Sequence, residues 1–224
     1  MSSSAWKESL IKFVIERDGL LFGQFTLKSK RISPYFFNLA KLINDGEGLQ
    51  KVSEAFATTI KEQIGIDNFD YIQGPAYKGI PLAGGIAMVF HQKYNTNKRW
   101  GYDRKESKEH GVSEEAWLVG AIQDADRIIL VDDVITTGLT KLKNIDTLKK
   151  HSNKSNLQFR GIIIFLDRQE QDPEGNNPVT YLEEKGVKVY SILKIRDVVE
   201  FLKDRIIDSE RYKIFQEYFN KYGT

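Results

Sequence analysis

The sequence predicts an α/β domain: a doubly wound, mainly parallel sheet with a small N-terminal hood and a mobile inserted loop. Three observations carry that expectation. Near-continuous apolar runs recur at Tyr71-Ile72, Ile128–Val131, Gly161–Leu166 and Val187–Leu193, as expected of strands buried on both faces. Helical patterns alternate with these runs, which favours parallel strands joined by crossover helices. One stretch, from Asn95 to Ala116, breaks the rhythm with a run of polar residues.

Taken in order, Ser4–Glu16 places Trp6, Leu10, Phe13 and Val14 at helical spacing, with serines available as caps. Gly23–Asn38 carries Phe25, Leu27, Ile32, Tyr35 and Phe37 and reads as short strands around a basic turn. Gly48–Ile64 is an amphipathic helix through Leu49, Val52, Phe56, Ile60 and Ile64. The strand at Tyr71-Ile72 runs into a Gly/Pro turn, Gly74–Gly79, and an apolar helix reaching Phe90. After Ile128–Val131 come an acidic turn and a helix over Thr140–Lys150. Two helical patterns, Asp197–Lys203 and Ser209–Lys221, close the chain. The segment from Lys98 to Gly111 is strongly polar, and a long polar segment in a compact domain is either a functional loop or a solvated excursion.

A length of 224 residues suits one domain, 1–224, divided into a hood over 1–45, an α/β core over 46–224 and a flexible loop over 101–116. The chain has no cysteine, which excludes disulfide scaffolds, zinc–thiolate sites, iron–sulfur clusters and a thiol nucleophile. With 33 basic and 31 acidic side chains the net charge is +2, so no general electrostatic case exists for a nucleic-acid or membrane partner. Met1–Trp6 lacks the basic-then-apolar order of a signal peptide, and no apolar run approaches the roughly 20 residues that span a bilayer. A cytoplasmic protein is expected.

In open α/β sheets ligands bind beyond the carboxyl ends of the strands. After Ile128–Val131 stand Asp132, Asp133, Val134, Ile135, Thr136, Thr137, Gly138, Leu139 and Thr140, followed by a helix. Two carboxylates at a strand end can hold sugar hydroxyls or, through water, a divalent metal. The turn after them offers backbone N–H groups and hydroxyls at a helix N-terminus, which suits a phosphate monoester. Gly138 lets the backbone approach closely. The pattern describes a phosphorylated ribose; the bland alternative, an N-capping Asp in a tight turn, would explain one acid but not the whole string. No Gly-x-Gly-x-x-Gly follows a strand, and at Gly79–Gly84 the Lys-Ser/Thr of a P-loop is replaced by Gly85-Ile86.

The string 132–140 resembles the phosphoribosyl pyrophosphate (PRPP) motif of type I phosphoribosyltransferases. Four further segments are similar to the orotate phosphoribosyltransferase family: Phe25–Asn38, Gly74–Pro81, Arg104–Gly111 and Leu166–Glu170. They occur in that family's order, and the resemblance runs from about Trp6 to Tyr218. It implies transfer of ribose 5-phosphate from PRPP to orotate, giving orotidine 5′-monophosphate and pyrophosphate in pyrimidine synthesis.

The resemblance also implies roles. Asp132 and Asp133 would face the ribose hydroxyls and the magnesium-bound substrate, with Mg2+ held through PRPP and water rather than by a direct protein ligand. Val134, Ile135, Thr136, Thr137, Gly138, Leu139 and Thr140 would form the 5′-phosphate turn, and Thr136 would also lie beside orotate. Tyr77 and Lys78 would oppose the leaving pyrophosphate, with the Ala76–Tyr77 peptide strained and cis. Lys28 would contact PRPP. Phe36 and Phe37 would give the pyrimidine an apolar wall and backbone contacts, and the Arg168 guanidinium would approach it in plane.

Pyrophosphate departs with several negative charges, so catalysis needs cations and a site closed to water. Arg104, Lys105, Lys108 and His110 lie within seven residues, flanked by Gly101 and Gly111. The resemblance implies that this loop reaches the neighbouring subunit's site, making the working unit a homodimer. Lys108 would be the principal catalytic residue, with Asp132, Asp133, Lys105 and His110 beside it; His110 would contact phosphate rather than metal. Two departures stand out. Lys30 occupies a place where the family usually has glycine, implying a less tight Lys28–Arg31 turn. Leu139 replaces a residue that is often small or hydroxylic, which removes one possible phosphate hydrogen bond.

Two other readings use the same acid pair. A purine phosphoribosyltransferase would keep 132–140 but has no reason to carry Phe36-Phe37 with Arg168, or the Lys105/Lys108/His110 loop. A regulatory PRPP-binding module could keep the phosphate turn and lose the leaving-group cations, but Lys78, Arg104, Lys105 and Lys108 are all present.

Overall fold

The computed structural model describes residues 3–27, 29–106 and 117–224. The chain opens with helix α1 (Ser3–Glu16), which buries Leu10, Phe13 and Val14 at the expected helical spacing. Strands β1 (Leu20–Thr26) and β2 (Ile32–Phe37) then form an antiparallel hairpin. Its turn is closed by hydrogen bonds from Leu27 N to Arg31 O and from Lys30 N to Leu27 O, both 2.9 Å. Lys30 itself adopts the left-handed conformation, φ 63°, that glycine would take more easily. Arg31 anchors the turn by donating to the carbonyls of Gln171 and Asp172.

A short helix, α2 (Leu39–Leu42), leads to α3 (Gly46–Gln63), whose N-cap Asp45 accepts from Gly48 N at 2.8 Å. The main sheet then alternates with helices: β3 (Tyr71–Gln73), α4 (Gly79–Tyr94), β4 (Arg99–Asp103), β5 (Leu118–Gly120), β6 (Arg127–Val134), α5 (Leu139–His151), β7 (Gln158–Asp167), α6 (Pro178–Glu184) and β8 (Val189–Lys194). Helices α7 (Ile195–Leu202) and α8 (Ser209–Tyr222) complete the chain. Among the described residues the strand order is β5-β4-β3-β6-β7-β8. All pairs are parallel except β4–β5. The order runs one way from β3 to β4 and the other way from β3 to β6, which puts a topological switch point between β3 and β6.

Strand alternation sorts the side chains onto two faces. Ile72, Ile129, Val131, Ile163 and Phe165 share one core with α3, α4, the hairpin and α8. Tyr71, Ile128, Leu130, Ile162 and Ile164 share the other with Ile145 and Leu148 of α5 and Leu182 of α6. The hairpin is fastened to the C-terminal helix by aromatic contacts: Phe22 and Tyr35 lie 5.8 and 6.0 Å from Phe215, measured between ring centroids.

The expected loop over 101–116 needs correction at its start. Residues 101–103 belong to β4, which pairs with both β3 and β5. The apolar pattern fails there because the inward positions are Gly101 and Asp103. A Cβ at Gly101 would stand 2.0 Å from the Tyr71 hydroxyl, so the close packing of β3 on β4 requires glycine. The insertion is rooted at Arg104, whose N–H donates to Trp117 O at 2.8 Å.

Candidate active site

At the switch point two turns leave adjacent strands. The first, 74–78, connects β3 to α4, and its Ala76–Tyr77 peptide is cis, as the sequence resemblance implied. Its ends nearly touch: a Cβ on Gly74 would lie 2.0 Å from Gly79 O, so no larger residue fits there. The second, 135–138, connects β6 to α5 and ends at Gly138 with φ 76°. Helices α3, α6 and α8 carry side-chain N-caps from Asp45, Asn177 and Asp208, whereas α4 and α5 have none. In α4 the Gly79 and Ile80 N–H groups donate to Pro75 O and Tyr77 O, and in α5 those of Lys141 and Leu142 donate to Gly138 O, so it is the Leu139 and Thr140 N–H groups, with the positive dipole end of α5 behind them, that face the turn.

This rules out the N-cap explanation of the acid pair, because the cap position of α5 is Gly138. Asp132 and Asp133 point to opposite faces of β6, and each meets a lysine from the helix on its own face. Asp132 continues the Ile128/Leu130 face and receives Lys141 of α5 as an ion pair. Asp133 continues the Ile129/Val131 face and lies 2.6 Å from Lys78 Nζ at the start of α4. Each carboxylate also accepts the N–H of the following residue, Asp133 N at 2.8 Å and Val134 N at 2.9 Å. Burial pushes the Asp132 carboxyl above its ordinary range; the Lys141 charge works against that shift and Asp133 adds to it.

Lys105 brings the root of the insertion to this place, with Nζ 4.2 Å from the Tyr77 ring centroid. Thr136, Leu139 and Thr140 are exposed along the second turn, Thr137 is half-buried, and Ile135 is buried beneath it. Tyr77, Lys78, Lys105, Asp132 and Asp133 are thereby brought together with the phosphate-type turn. Arg104 stands at the same root. Lys28, Lys108 and His110 lie outside the described residues.

Phe36, Phe37 and Arg168 form a neighbouring group over the end of β7. Consecutive strand residues face opposite ways, so the two phenylalanines separate. Phe37 stacks on Phe165, 5.4 Å between centroids, while Phe36 is exposed beside Phe25 at 5.7 Å. Only Phe36 offers a ring to solvent. Arg168 follows β7 directly, and the register Val134↔Leu166 sets it one strand from the acid pair. Its guanidinium lies over Tyr35, 4.7 Å from the ring centroid, and donates to Glu170 at 3.0–3.2 Å. Tyr35 donates to the same carboxylate at 2.5 Å.

Sequence reasoning missed a second polar cluster beneath the first turn. Asp103 accepts from Gln73 Nε2 at 3.3 Å, Asn144 Nδ2 at 3.0 Å and the backbone N–H of Ala76. Burial raises its carboxyl, and these donors oppose the shift. The knot joins β3, β4, α5 and the 74–78 turn.

Lys141 was missed as well, although its register could have marked it. It precedes Ile145 and Leu148 by four and seven residues, on the face of α5 that turns inward. An apolar cleft between the hairpin and α8, lined by Phe22, Ile32, Ile214 and Tyr218, contains none of the acids or lysines of the sheet end. It is not the better candidate.

The family model for the phosphoribosyl transferase domain matches residues 40–193. The chain is 36% identical to an orotate phosphoribosyltransferase of Acinetobacter baumannii over 217 residues, 96% of this chain and 95% of that one. It is 36% identical over 227 residues to one from Clostridium acetobutylicum, covering 98% of each. Among solved structures, the orotate phosphoribosyltransferase of Francisella tularensis superposes with a TM-score of 0.81 at 31% identity, covering 96% of this chain and all of that one. With full-length relatives and a shared sheet topology, the chain belongs to the orotate phosphoribosyltransferase family.

Proposed function

We propose that the protein transfers the ribose 5-phosphate group of PRPP to orotate, giving orotidine 5′-monophosphate and pyrophosphate in de novo UMP synthesis. The observation that carries this is the acid pair at the switch point, flanked by two helix N-termini without side-chain caps and by Lys78 and Lys105. Asp132 and Asp133 hold the ribose hydroxyls, and the turn from Val134 to Thr140 takes the 5′-phosphate on its N–H groups and threonine hydroxyls. Tyr77 and Lys78 receive the diphosphate, joined by Lys28, Arg104, Lys105, Lys108 and His110. Phe36 covers the pyrimidine ring, Phe37 supports it through the backbone, and Thr136 and Arg168 meet its polar edges.

A ring nitrogen of orotate bonds to the ribose anomeric carbon as the bond from that carbon to the pyrophosphate oxygen breaks; the electron pair leaves on pyrophosphate, and the proton of the ring nitrogen passes to the departing pyrophosphate. Cations fixed beside that oxygen stabilise the growing charge more in the transition state than in the ground state. Lys108 is the principal catalytic group in this reading. It rests on the resemblance of Arg104–Gly111 to the family's loop, as does the homodimer in which that loop serves the neighbouring subunit.

Magnesium fits the site as a passenger of PRPP. Among the described residues no three His, Cys, Asp or Glu side chains converge, and Asp132 and Asp133 each carry a lysine already. Carried in with PRPP near Asp132 and Asp133, the ion would supply charge neutralisation of the leaving group. No helix among the described residues is long and apolar enough to cross a membrane. A cytoplasmic location is part of the same proposal.

The test follows orotate absorbance with PRPP, with and without magnesium, against a purine control. Loss of orotate that needs both PRPP and magnesium is expected. Turnover of a purine alone, or PRPP binding without any turnover, overturns the reading.

A further inference from the structure

Lys141 is the least expected cation of the sheet end. Its side chain is 7% exposed, against 45% for Lys78. Its ammonium points at one oxygen of Asp132, while the other oxygen accepts Asp133 N–H at 2.8 Å. Both Asp132 oxygens are therefore engaged by the protein, and the carboxylate cannot rotate without losing a bond. Asp133 differs, because its lysine is half-exposed and can leave it. An ammonium buried at Lys141's depth is tolerated only with a charge partner.

We propose that Lys141 is a positioning residue of the transfer reaction: it fixes the Asp132 carboxylate against α5 so that its edge meets the ribose of PRPP. The proposal rests on the reading of Asp132 as a ribose-holding acid. Lys141 stays paired throughout turnover, whereas Lys78 exchanges Asp133 for the diphosphate.

The two acids thus have different roles although they are adjacent in sequence. Lys141 also lies in the first turn of α5, so its charge adds to the helix N-terminus beneath the phosphate turn. Removing it leaves a half-buried carboxylate with one partner fewer, free to swing and less readily ionised.

The experiment is a double-mutant cycle on PRPP affinity, read by calorimetry on the full-length protein with magnesium present. The variants are Lys141→Met, Asp132→Asn and the two combined. Lys141→Gln serves in place of Lys141→Met if the methionine protein does not fold, and circular dichroism reports folding of each. Lys141→Met is expected to weaken PRPP by roughly 10–100-fold in the wild-type background and by no more than about 3-fold beside Asp132→Asn. The KM for orotate is expected to move by less than about 3-fold, since the pyrimidine is held elsewhere.

Equal losses in both backgrounds would show a purely structural lysine and overturn the proposal; so would an unchanged affinity in Lys141→Met. Failure of the wild-type protein to bind PRPP would instead overturn the functional reading itself.

Discussion

Lys78 Nζ lies 2.6 Å from Asp133 Oδ2, joining the turns that leave β3 and β6. The pair is partly solvated on the lysine side, so it contributes little to folding; exposed ion pairs are worth about 0–1 kcal/mol. Its value is in being exchangeable. In the proposed reaction Lys78 turns to the diphosphate and Asp133 is released to the ribose. Lys78→Ala is therefore expected to lower kcat/KM for PRPP by about 100-fold while changing stability by less than ~1 kcal/mol. Steady-state kinetics and thermal unfolding of the same preparation check both halves. A protein that melts far earlier but turns over normally would contradict it.

Much of this arrangement was legible in the sequence, because β6 and β7 are buried on both faces and read as unbroken apolar runs. The acids at the end of β6 then stood out by contrast. Strand β4 was not legible: its inward residues are Gly101 and Asp103, and neither gives an apolar signal. The pairing of acids with lysines was hidden for another reason. It follows from which face of β6 each acid takes and which helix covers that face, and both depend on the strand order. Phe36 and Phe37 show the same limit. Their motif suggested one apolar wall, but the pleat sends Phe37 onto Phe165 and leaves Phe36 outside.

Gly138 provides a test of the phosphate turn. Its φ of 76° is unfavourable for any residue with a Cβ, and an added Cβ would meet Leu182 Cγ at 3.1 Å and Pro178 O at 3.3 Å. Leu182 can shift; the carbonyl on α6 cannot move as easily. Gly138→Ala should destabilise the fold by ~1–2 kcal/mol and raise the KM for PRPP more than the KM for orotate. Denaturant unfolding and initial rates with each substrate varied separately will measure these effects. Equal changes in the two KM values would argue against a phosphate turn at this position.

The Asp103 knot predicts an asymmetry between two substitutions. Asp103→Ala strands the donors of Gln73, Asn144 and Ala76, and should cost about 2–4 kcal/mol with loosening of the 74–78 turn. Asp103→Asn keeps the shape, and its amide can donate to Gln73 Oε1 or Asn144 Oδ1. Those two buried oxygens find no partner among the described residues. The asparagine protein should lie within ~1 kcal/mol of wild type. Equilibrium unfolding in urea distinguishes the two, and equal losses would mean that the carboxylate's charge, not its shape, holds the knot.

Acid stability has a separate origin at the opposite end of the sheet. Asp70, just before β3, accepts from Arg127 Nε at 2.8 Å, Nη2 at 2.7 Å and its backbone N at 3.0 Å. These bonds, led by those of the guanidinium, hold its carboxyl down to about 2. A carboxyl in the unfolded chain titrates near ~3.9. The folded value is the lower, so the contribution to stability is complete above ~4 and is lost as the pH falls toward ~2. Asp70→Asn lacks this contribution at every pH. Its melting temperature should lie below that of the wild type at pH 6, and the two curves should converge between about pH 4 and pH 2. The sheet end that carries Asp132 and Asp133 is remote from this pair, so kcat at neutral pH should not change. An offset in melting temperature that persists unchanged to pH 2 would show that Arg127 holds the strand ends through its backbone and packing, and not through the Asp70 charge.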